Sequence, residues 1–246
     1  MKECASGRSS RAVQPAPSHA EPVQLLAPHT LLAGIGHRQG GELGIETHVG
    51  LAKTGVVGVI PGKARGGKGI GLRADMDCLP MHEQNSFAHK SRHEGRMHAC
   101  GHDGHTTMLL GTARYLAETR NFDGTAYVIF QPAEEGGGGG QVMVQEGLFE
   151  RFPADEVYAV HNWPGLPAGQ MAVRAGPVMA ATDEVQITLR GRGGQAAMPH
   201  LVTDPVVAAA QVFSALQTIA SRNVSPVDAV VVSICSLQTS QLGAFN

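Results

Sequence analysis

Short apolar runs alternate with stretches of helical periodicity along the middle of the chain. Four runs rich in glycine and in branched or aromatic side chains predict β-strands, at residues 55–60, 69–74, 125–130 and 156–160. Between the strands, apolar side chains recur at helical spacing over residues 106–119, and residues 141–149 are also predicted to be helical. Strands that alternate with helices predict an α/β sheet with parallel members.

Polar residues lie just beyond three of these predicted strands. They are Asp75 and Asp77 after the second strand, Glu134 and Glu135 after the third, and His161 after the fourth. Open α/β sheets place their chemistry beyond the carboxyl ends of parallel strands. We therefore expect these side chains to meet at one edge of the sheet.

A second unit is predicted to begin near residue 182. Alternating apolar residues predict a strand over 183–189, and residues 229–235 predict another. Between them, residues 204–222 have the amphipathic pattern of a helix, with Asp204 as its cap. The pattern therefore predicts a smaller β-α-β unit at this end of the chain.

The first part of the chain has a different character. Residues 1–41 are rich in Ser, Pro, Ala and Gly and lack periodicity, so we expect them to be disordered or poorly packed. The predicted divisions are therefore residues 1–41, 42–181 and 182–246.

Composition narrows the class of protein. The chain has 246 residues, of which 42% are hydrophobic and 16% are charged, as expected for a globular protein. A net charge of -2 provides no basic face, so neither nucleic acid nor a membrane surface is an expected partner. The sequence has no run of about eighteen apolar residues, so we expect no membrane span. Four irregularly spaced cysteines without a CxxC pair favour a reduced thiol in the cytoplasm over a disulfide framework.

The densest cluster of reactive side chains is MHACGHDGH at residues 97–105, which holds one thiol and three imidazoles. With Glu134, Glu135 and His161, these groups are the donors that a divalent transition metal ion prefers. One carboxylate would bind metal, and the other would stay free as the base of a hydrolytic reaction. Taken singly, plainer interpretations stay open: histidines on a surface helix, solvated glutamates and a structural histidine.

Five segments, taken in order, resemble the amidohydrolase branch of the dinuclear metallopeptidases, which includes hippurate hydrolase, other N-acyl-amino-acid hydrolases and hydrolases of indole-acetyl amino acid conjugates. The segments are GLRADMDCLP (71–80), GRMHACGHDGHTTMLLG (95–111), FQPAEEGGGGG (130–140), HNWPGLPAG (161–169) and GRGGQAAMPH (191–200). The resemblance implies a zinc-peptidase-like catalytic domain with a mixed α/β sheet flanked by helices. It also implies a smaller inserted α/β lid and dimerisation domain, beginning near residue 182, and a homodimer in complete relatives.

The resemblance also implies roles for individual residues. Those expected to bind one or two divalent ions, Mn, Zn, Co or Ni, are Cys100, His102, Glu135 and His161. Glu134 is the expected general base, and Asp77 is expected to orient a ligand. The implied substrate is a small N-acyl amino acid such as hippurate.

Three departures from the family pattern shape the expectations for this chain. The first forty or so residues do not match the family's usual opening. Gln195 stands where the family usually has a histidine that helps to hold the substrate carbonyl, and glutamine cannot become cationic. The chain also ends within the implied lid domain, before one further histidine ligand, so we expect a fragment or a degenerate product. Weakened metal binding and poor catalysis follow, and the alternatives are a non-catalytic homologue or a metal-binding subunit partner.

Overall fold

The computed structural model describes residues 45–239 of the chain. Contacts within the chain divide it into two units, Met1–Gln170 and Met171–Asn246. The predicted boundary near residue 182 falls inside the second unit, and the assignment of the units to a catalytic and a lid domain stays a prediction. The predicted disorder of residues 1–41 lies outside the described residues.

The first unit is built on a mixed five-stranded sheet with the order β1-β2-β4-β3-β5. Its strands are β1 (Glu46–Leu51), β2 (Gly55–Pro61), β3 (Ala64–Asp75), β4 (Asp123–Gln131) and β5 (Glu156–Ala159). Strand β2 runs antiparallel to β1 and β4, whereas β3 runs parallel to β4 and β5. The predicted α/β sheet is therefore confirmed, although the sequence pattern missed β1 altogether.

Helices cover both faces of this sheet. They are α1 (His102–Thr119), α2 (Gly139–Gln145) and α3 (Leu148–Arg151). Successive strand residues point to opposite faces, so Val128 packs in the cluster that contains residues of α1, whereas Ile129 packs in the cluster that contains residues of α2 and α3. The sheet is thus the middle layer between two apolar cores.

Two helical predictions needed correction. Helix α1 begins at His102, earlier than the predicted residue 106, so it carries part of the histidine cluster. The single helix predicted over residues 141–149 is wrong, because α2 ends at Gln145 and α3 begins at Leu148. Gly147 between them has φ +90°, a left-handed conformation that interrupts a right-handed helix.

The parallel strands β3, β4 and β5 end at the same edge of the sheet. Asp75 is paired with Gln131 at the ends of β3 and β4, and Arg73 is paired with Ala159 at the end of β5. The segments that follow these strands therefore leave the sheet side by side, and α1 begins beside them after the connection at residues 76–101. This edge is where the predicted site residues are found.

The second unit contains helix α4 (Pro205–Thr218), which continues into a short π-helix (Ile219–Asn223). The Asp204 side chain accepts a hydrogen bond from the Val206 amide at 2.8 Å, as predicted for a cap. The strands predicted over 183–189 and 229–235 are wrong, because no ladder forms there. Apolar alternation produces a strand only when a neighbouring strand accepts its backbone hydrogen bonds. Within the described part of this unit, the bridge between Arg192 and Thr203 is the only such pairing.

Among residues 45–239, no helix combines the length and apolar character needed to cross a membrane.

Candidate metal centre

The edge of the sheet brings together the predicted donor residues. Cys100 precedes α1 and His102 begins it, while the glutamate pair follows β4 and His161 follows β5. Donor atoms of Cys100, His102 and His161 all lie within 4.8 Å of one another. The same limit encloses donor atoms of His102, Glu134 and Glu135, so His102 belongs to both groups.

The contacts of His102 leave its Nε2 atom without a hydrogen-bond partner among the described residues. The ring is buried, and Nδ1 lies 3.0 Å from the Asp77 carbonyl oxygen and 3.3 Å from Asp77 Oδ1. Both neighbours of Nδ1 are acceptors, so in the neutral ring Nδ1 carries the proton and Nε2 carries the lone pair. Nε2 is buried without a hydrogen-bond partner among the described groups. It lies 3.9 Å from carboxylate oxygens of Glu134 and Glu135.

Negative charge dominates the surroundings of His102. Burial disfavours the charged ring, but the hydrogen bond to Asp77 and the charge of Asp75 outweigh burial and raise the pKa of His102. Asp75 Oδ2 lies 3.6 Å from His102 Nε2. A field that favours a proton on this ring also favours a divalent cation beside it.

The Cys100 thiol lies 3.5 Å from His161 Nε2. Burial, followed by the charge of Glu135, raises the pKa of Cys100 to about 11. Without a cation the thiol is therefore protonated at neutral pH. A coordinating metal ion reverses this preference because it binds the thiolate.

A tight turn directs the glutamate pair toward His102. Ala133 adopts a left-handed conformation with φ +53°, and the Gly139 amide donates to the Ala133 carbonyl at 3.1 Å. A side chain at Gly139 would overlap the carbonyl of Pro132, so this position needs glycine. The glycine run is therefore an ordered turn that begins α2.

Asp77 connects two of the predicted ligands. It is 7% exposed, and its Oδ2 accepts the Glu135 amide hydrogen at 2.9 Å. Burial raises the pKa of this carboxyl group. Hydrogen bonds from His102 and from the Glu135 and Glu134 amides lower the pKa by more than burial raises it, so the pKa is below the ordinary value. Asp77 stays ionised and fixes both the His102 ring and the backbone of the glutamate pair.

Three residues beside this centre, Asp75, His105 and Asn162, had no role predicted from the sequence. Asp75 and His105 are both buried. Nδ1 of His105 contacts the Asp75 carboxylate, and Nε2 contacts Asn162. His102 and His105 are three residues apart, a spacing that puts both on one face of a helix. That spacing was the available signal, but it required α1 to begin at His102.

Gln195 lies in the second unit, where its carbonyl accepts the Met198 amide hydrogen at 2.8 Å. Its proposed contact with substrate stays a prediction. His98, the first histidine of the cluster, precedes α1 and belongs to none of the donor groups among the described residues.

The residues at this edge fit a divalent transition metal ion. The bare, buried Nε2 of His102 is a polar atom that needs a partner. A thiol, imidazole nitrogens and carboxylate oxygens are the donors used by zinc and related ions. The protonated Nδ1 held by Asp77 is the arrangement that orients a metal-binding histidine.

Comparison with known proteins agrees with this chemistry. The sequence pattern of peptidase family M20/M25/M40 matches residues 71–234. Hippurate hydrolase of Campylobacter jejuni is 47% identical over 83% of this chain and 51% of its own length. IAA-amino acid hydrolase ILR1-like 4 of Arabidopsis thaliana is 41% identical over 83% of this chain and 46% of its own length. The chain spans about half the length of the curated relatives that it matches.

Solved structures show the same fold. A putative aminohydrolase from methicillin-resistant Staphylococcus aureus has a TM-score of 0.57 at 31% identity, over 85% of this chain and 55% of that one. The YXEP protein of Bacillus subtilis, described as a dinuclear metal binding peptidase from the M20 family, has a TM-score of 0.56 at 33% identity, over 78% of this chain and 48% of that one. Since the family pattern covers more than half of its residues, the chain belongs to peptidase family M20/M25/M40.

Proposed function

We propose that this chain carries the metal centre of an amidohydrolase that removes the acyl group from an N-acyl amino acid. The observation that carries the proposal is the bare Nε2 of His102, buried and facing two carboxylates beside a thiol and a second imidazole. Relatives named hippurate hydrolase, N-acetyldiaminopimelate deacetylase and IAA-amino acid hydrolase support the substrate class, because each name describes an acylated amino acid.

The proposed ligands are Cys100, His102, Glu135 and His161, which would hold one or two divalent ions such as Mn, Zn, Co or Ni. Such ions, when bound, lower the pKa of a water molecule and polarise the carbonyl of the scissile amide. The chain's own contribution is to hold the donors in place. Asp77 performs this task for His102 and Glu135 through the two contacts described above.

The difference in exposure supports different roles for the two glutamates. The Glu135 side chain is 25% exposed, whereas the Glu134 side chain is 43% exposed. The less exposed carboxylate is suited to be a ligand, and the more accessible one is suited to exchange protons. Glu134 would take a proton from the attacking water onto its carboxylate and then deliver it to the nitrogen of the departing amino acid.

The remaining features of the proposed enzyme rest on the family resemblance. We expect Gln195 to hold the substrate carbonyl through its amide hydrogens. A homodimer and a cytoplasmic location are the expected setting. The substrate is a small molecule, with neither nucleic acid nor membrane as a partner.

The test separates the two glutamates by different measurements. Glu134→Gln should leave the metal content of purified, dialysed protein unchanged and abolish release of glycine from hippurate in the presence of added Mn²⁺ or Zn²⁺. Glu135→Gln should lose metal. Glu118→Gln is the matched control, because Glu118 pairs with Arg114 on the exposed side of α1 and should affect neither measurement.

Two outcomes would contradict the proposal. Equal loss of metal in both site variants would refute the division of roles. Folded wild-type protein that retains no divalent metal would refute the metal centre itself.

A further inference from the structure

We infer that His105 is a positioning residue, which clamps the segment after β5 so that His161 reaches the metal centre. The clamp consists of Asp75, His105 and Asn162. This inference rests on the proposed function, because it takes His161 to be a metal ligand. It adds a residue set that works through His161. Donor atoms of Asp75, His102 and His105 also lie within 4.8 Å of one another, but Asp75 and the Asn162 amide already occupy both ring nitrogens of His105.

His105 joins the sheet to the segment that bears His161. The His105 ring is buried on α1, and its Nδ1 lies 2.6 Å from Asp75 Oδ1. On the other side of the ring, Nε2 lies 3.0 Å from the Asn162 amide nitrogen and 2.6 Å from Asn162 Oδ1. A neutral ring accepts from the amide hydrogen at Nε2, and a doubly protonated ring donates to Oδ1. In both states His105 connects Asp75 to Asn162.

Asp75, at the other end of the clamp, belongs to the sheet. Asp75 is 1% exposed at the end of β3, and its Oδ2 accepts from Arg73 Nη1 at 2.8 Å. Arg73 Nε also donates to Gln131 Oε1 at 2.8 Å, which ties the same guanidinium to the end of β4. Thr106 on α1 donates its hydroxyl to the Asp75 carbonyl at 3.0 Å. Arg73 therefore fixes the carboxylate that holds His105, and the backbone of Asp75 is tied to α1.

His161 itself has little to hold it. It is exposed and lies beyond Ala159, the last residue of β5. Its polar contacts among the described residues are with the Asn162 carbonyl, 2.7 Å from Nδ1, and with Cys100 Sγ. The clamp acts on the next residue along the chain, and the His105 and His161 rings lie 4.5 Å apart.

Gly101 leaves room for this contact. A Cβ atom at Gly101 would lie 2.5 Å from Asn162 Oδ1, and Gly101 has φ +91°. The glycine between the two proposed ligands Cys100 and His102 thus lets the Asn162 side chain lie against the start of α1. Removal of His105 would free this segment without removing any proposed ligand.

The test is a double-mutant cycle on the full 246-residue chain, with Zn²⁺ alone as the probe in isothermal titration calorimetry. His105→Leu should raise the Kd of the tightest Zn²⁺ site by about 10–100-fold, the range seen when a residue supporting a metal ligand is lost, and His161→Ala should raise it by at least as much. In the His161→Ala background, His105→Leu should have no further effect, because the residue it positions is gone. Thr112→Val, which loses a hydrogen bond to the Met108 carbonyl on an exposed part of α1 away from the clamp, should leave the Kd unchanged.

Each alternative gives a different result. Additive effects of the two variants, or a lower thermal stability of metal-free His105→Leu with an unchanged Kd, would overturn the inference and leave the proposed metal centre standing. An unchanged Kd in His161→Ala would overturn both, since His161 would not be a ligand. Circular dichroism checks that each variant is folded. If His105→Leu does not fold, His105→Gln takes its place, and the same non-additivity is expected.

Discussion

Replacement of Asp77 tests whether one buried carboxylate supports the whole centre. Its Oδ2 accepts the Glu135 amide hydrogen at 2.9 Å, and its Oδ1 lies 3.3 Å from His102 Nδ1. Asp77→Ala removes both contacts. His102 keeps a partner, because the carbonyl of residue 77 remains 3.0 Å from Nδ1.

The expected loss follows from these contacts. A hydrogen bond to a charged group contributes about 1.5–3 kcal/mol, and a buried donor left without a partner costs about 1–3 kcal/mol. The Glu135 side chain is 25% exposed, so water can reach part of this region and the lower half of the range applies. We expect Asp77→Ala to lower the free energy of unfolding by about 1–2 kcal/mol. Asp77→Asn keeps an acceptor oxygen and should cost about 1 kcal/mol.

The pH dependence of this loss has a definite sign. The folded-state pKa of Asp77 lies below its ordinary 3.8, so its contribution is present above pH 3.8 and is lost as the pH falls through the folded value. The folded-state pKa of His102 lies above its ordinary 6.5, so its contribution is present below pH 6.5 and is lost as the pH rises through the folded value. The cost of Asp77→Asn should therefore be greatest between these two limits.

Urea unfolding of metal-free protein, measured at several pH values, provides the assay. Asp155→Asn is the matched control, because Asp155 accepts the Gly69 amide hydrogen at 2.8 Å in an exposed position. The control should cost no more than about 0.5 kcal/mol. An Asp77→Ala cost as small as that of the control, or an Asp77→Asn cost that grows above pH 6.5, would refute the reasoning.

Three further substitutions have defined outcomes. Zn²⁺ binding at pH 7 should release about one proton from Cys100, whose pKa is about 11, so Zn²⁺ affinity should rise with pH. Calorimetry in buffers of different ionisation enthalpy should detect this release, and Cys100→Ser should abolish it. Gly104→Ala should stabilise the protein by about 0.5–1 kcal/mol in urea unfolding, because Gly104 lies in α1 with open space around a Cβ atom; a destabilised variant would contradict this. Phe130→Ala should cost about 3–5 kcal/mol in the same assay, because Phe130 is fully buried in β4, and a cost under 1 kcal/mol would show that the site collapses.

The sequence by itself determined the central strands. Residues 125–130 were predicted as a strand and lie within β4, because their branched and aromatic side chains suit a buried strand. The rule that chemistry lies beyond the ends of parallel strands also predicted that Glu134, Glu135 and His161 would lie at one edge. They do so, although their individual roles stay predictions.

Tertiary structure alone decided which of these side chains touch. The contact between His105 and Asn162 joins residues far apart in the chain, and no local pattern encodes it. The choice of Nε2 as the bare atom of His102 depends on where the Asp77 carbonyl lies. Such contacts depend on how the ends of β3 and β5 meet α1, which only the folded sheet defines.

The strands predicted over 183–189 and 229–235 show the same dependence on tertiary structure, because the sequence predicted them and they do not form. The first has apolar alternation and the second is a continuous apolar run, yet no strand forms, and Val185 and Val231 are more than 80% exposed. A helix such as α4 closes its hydrogen bonds within its own segment, so sequence can predict it. A strand must find its hydrogen-bond partners elsewhere in the chain, and their presence is decided by the tertiary structure.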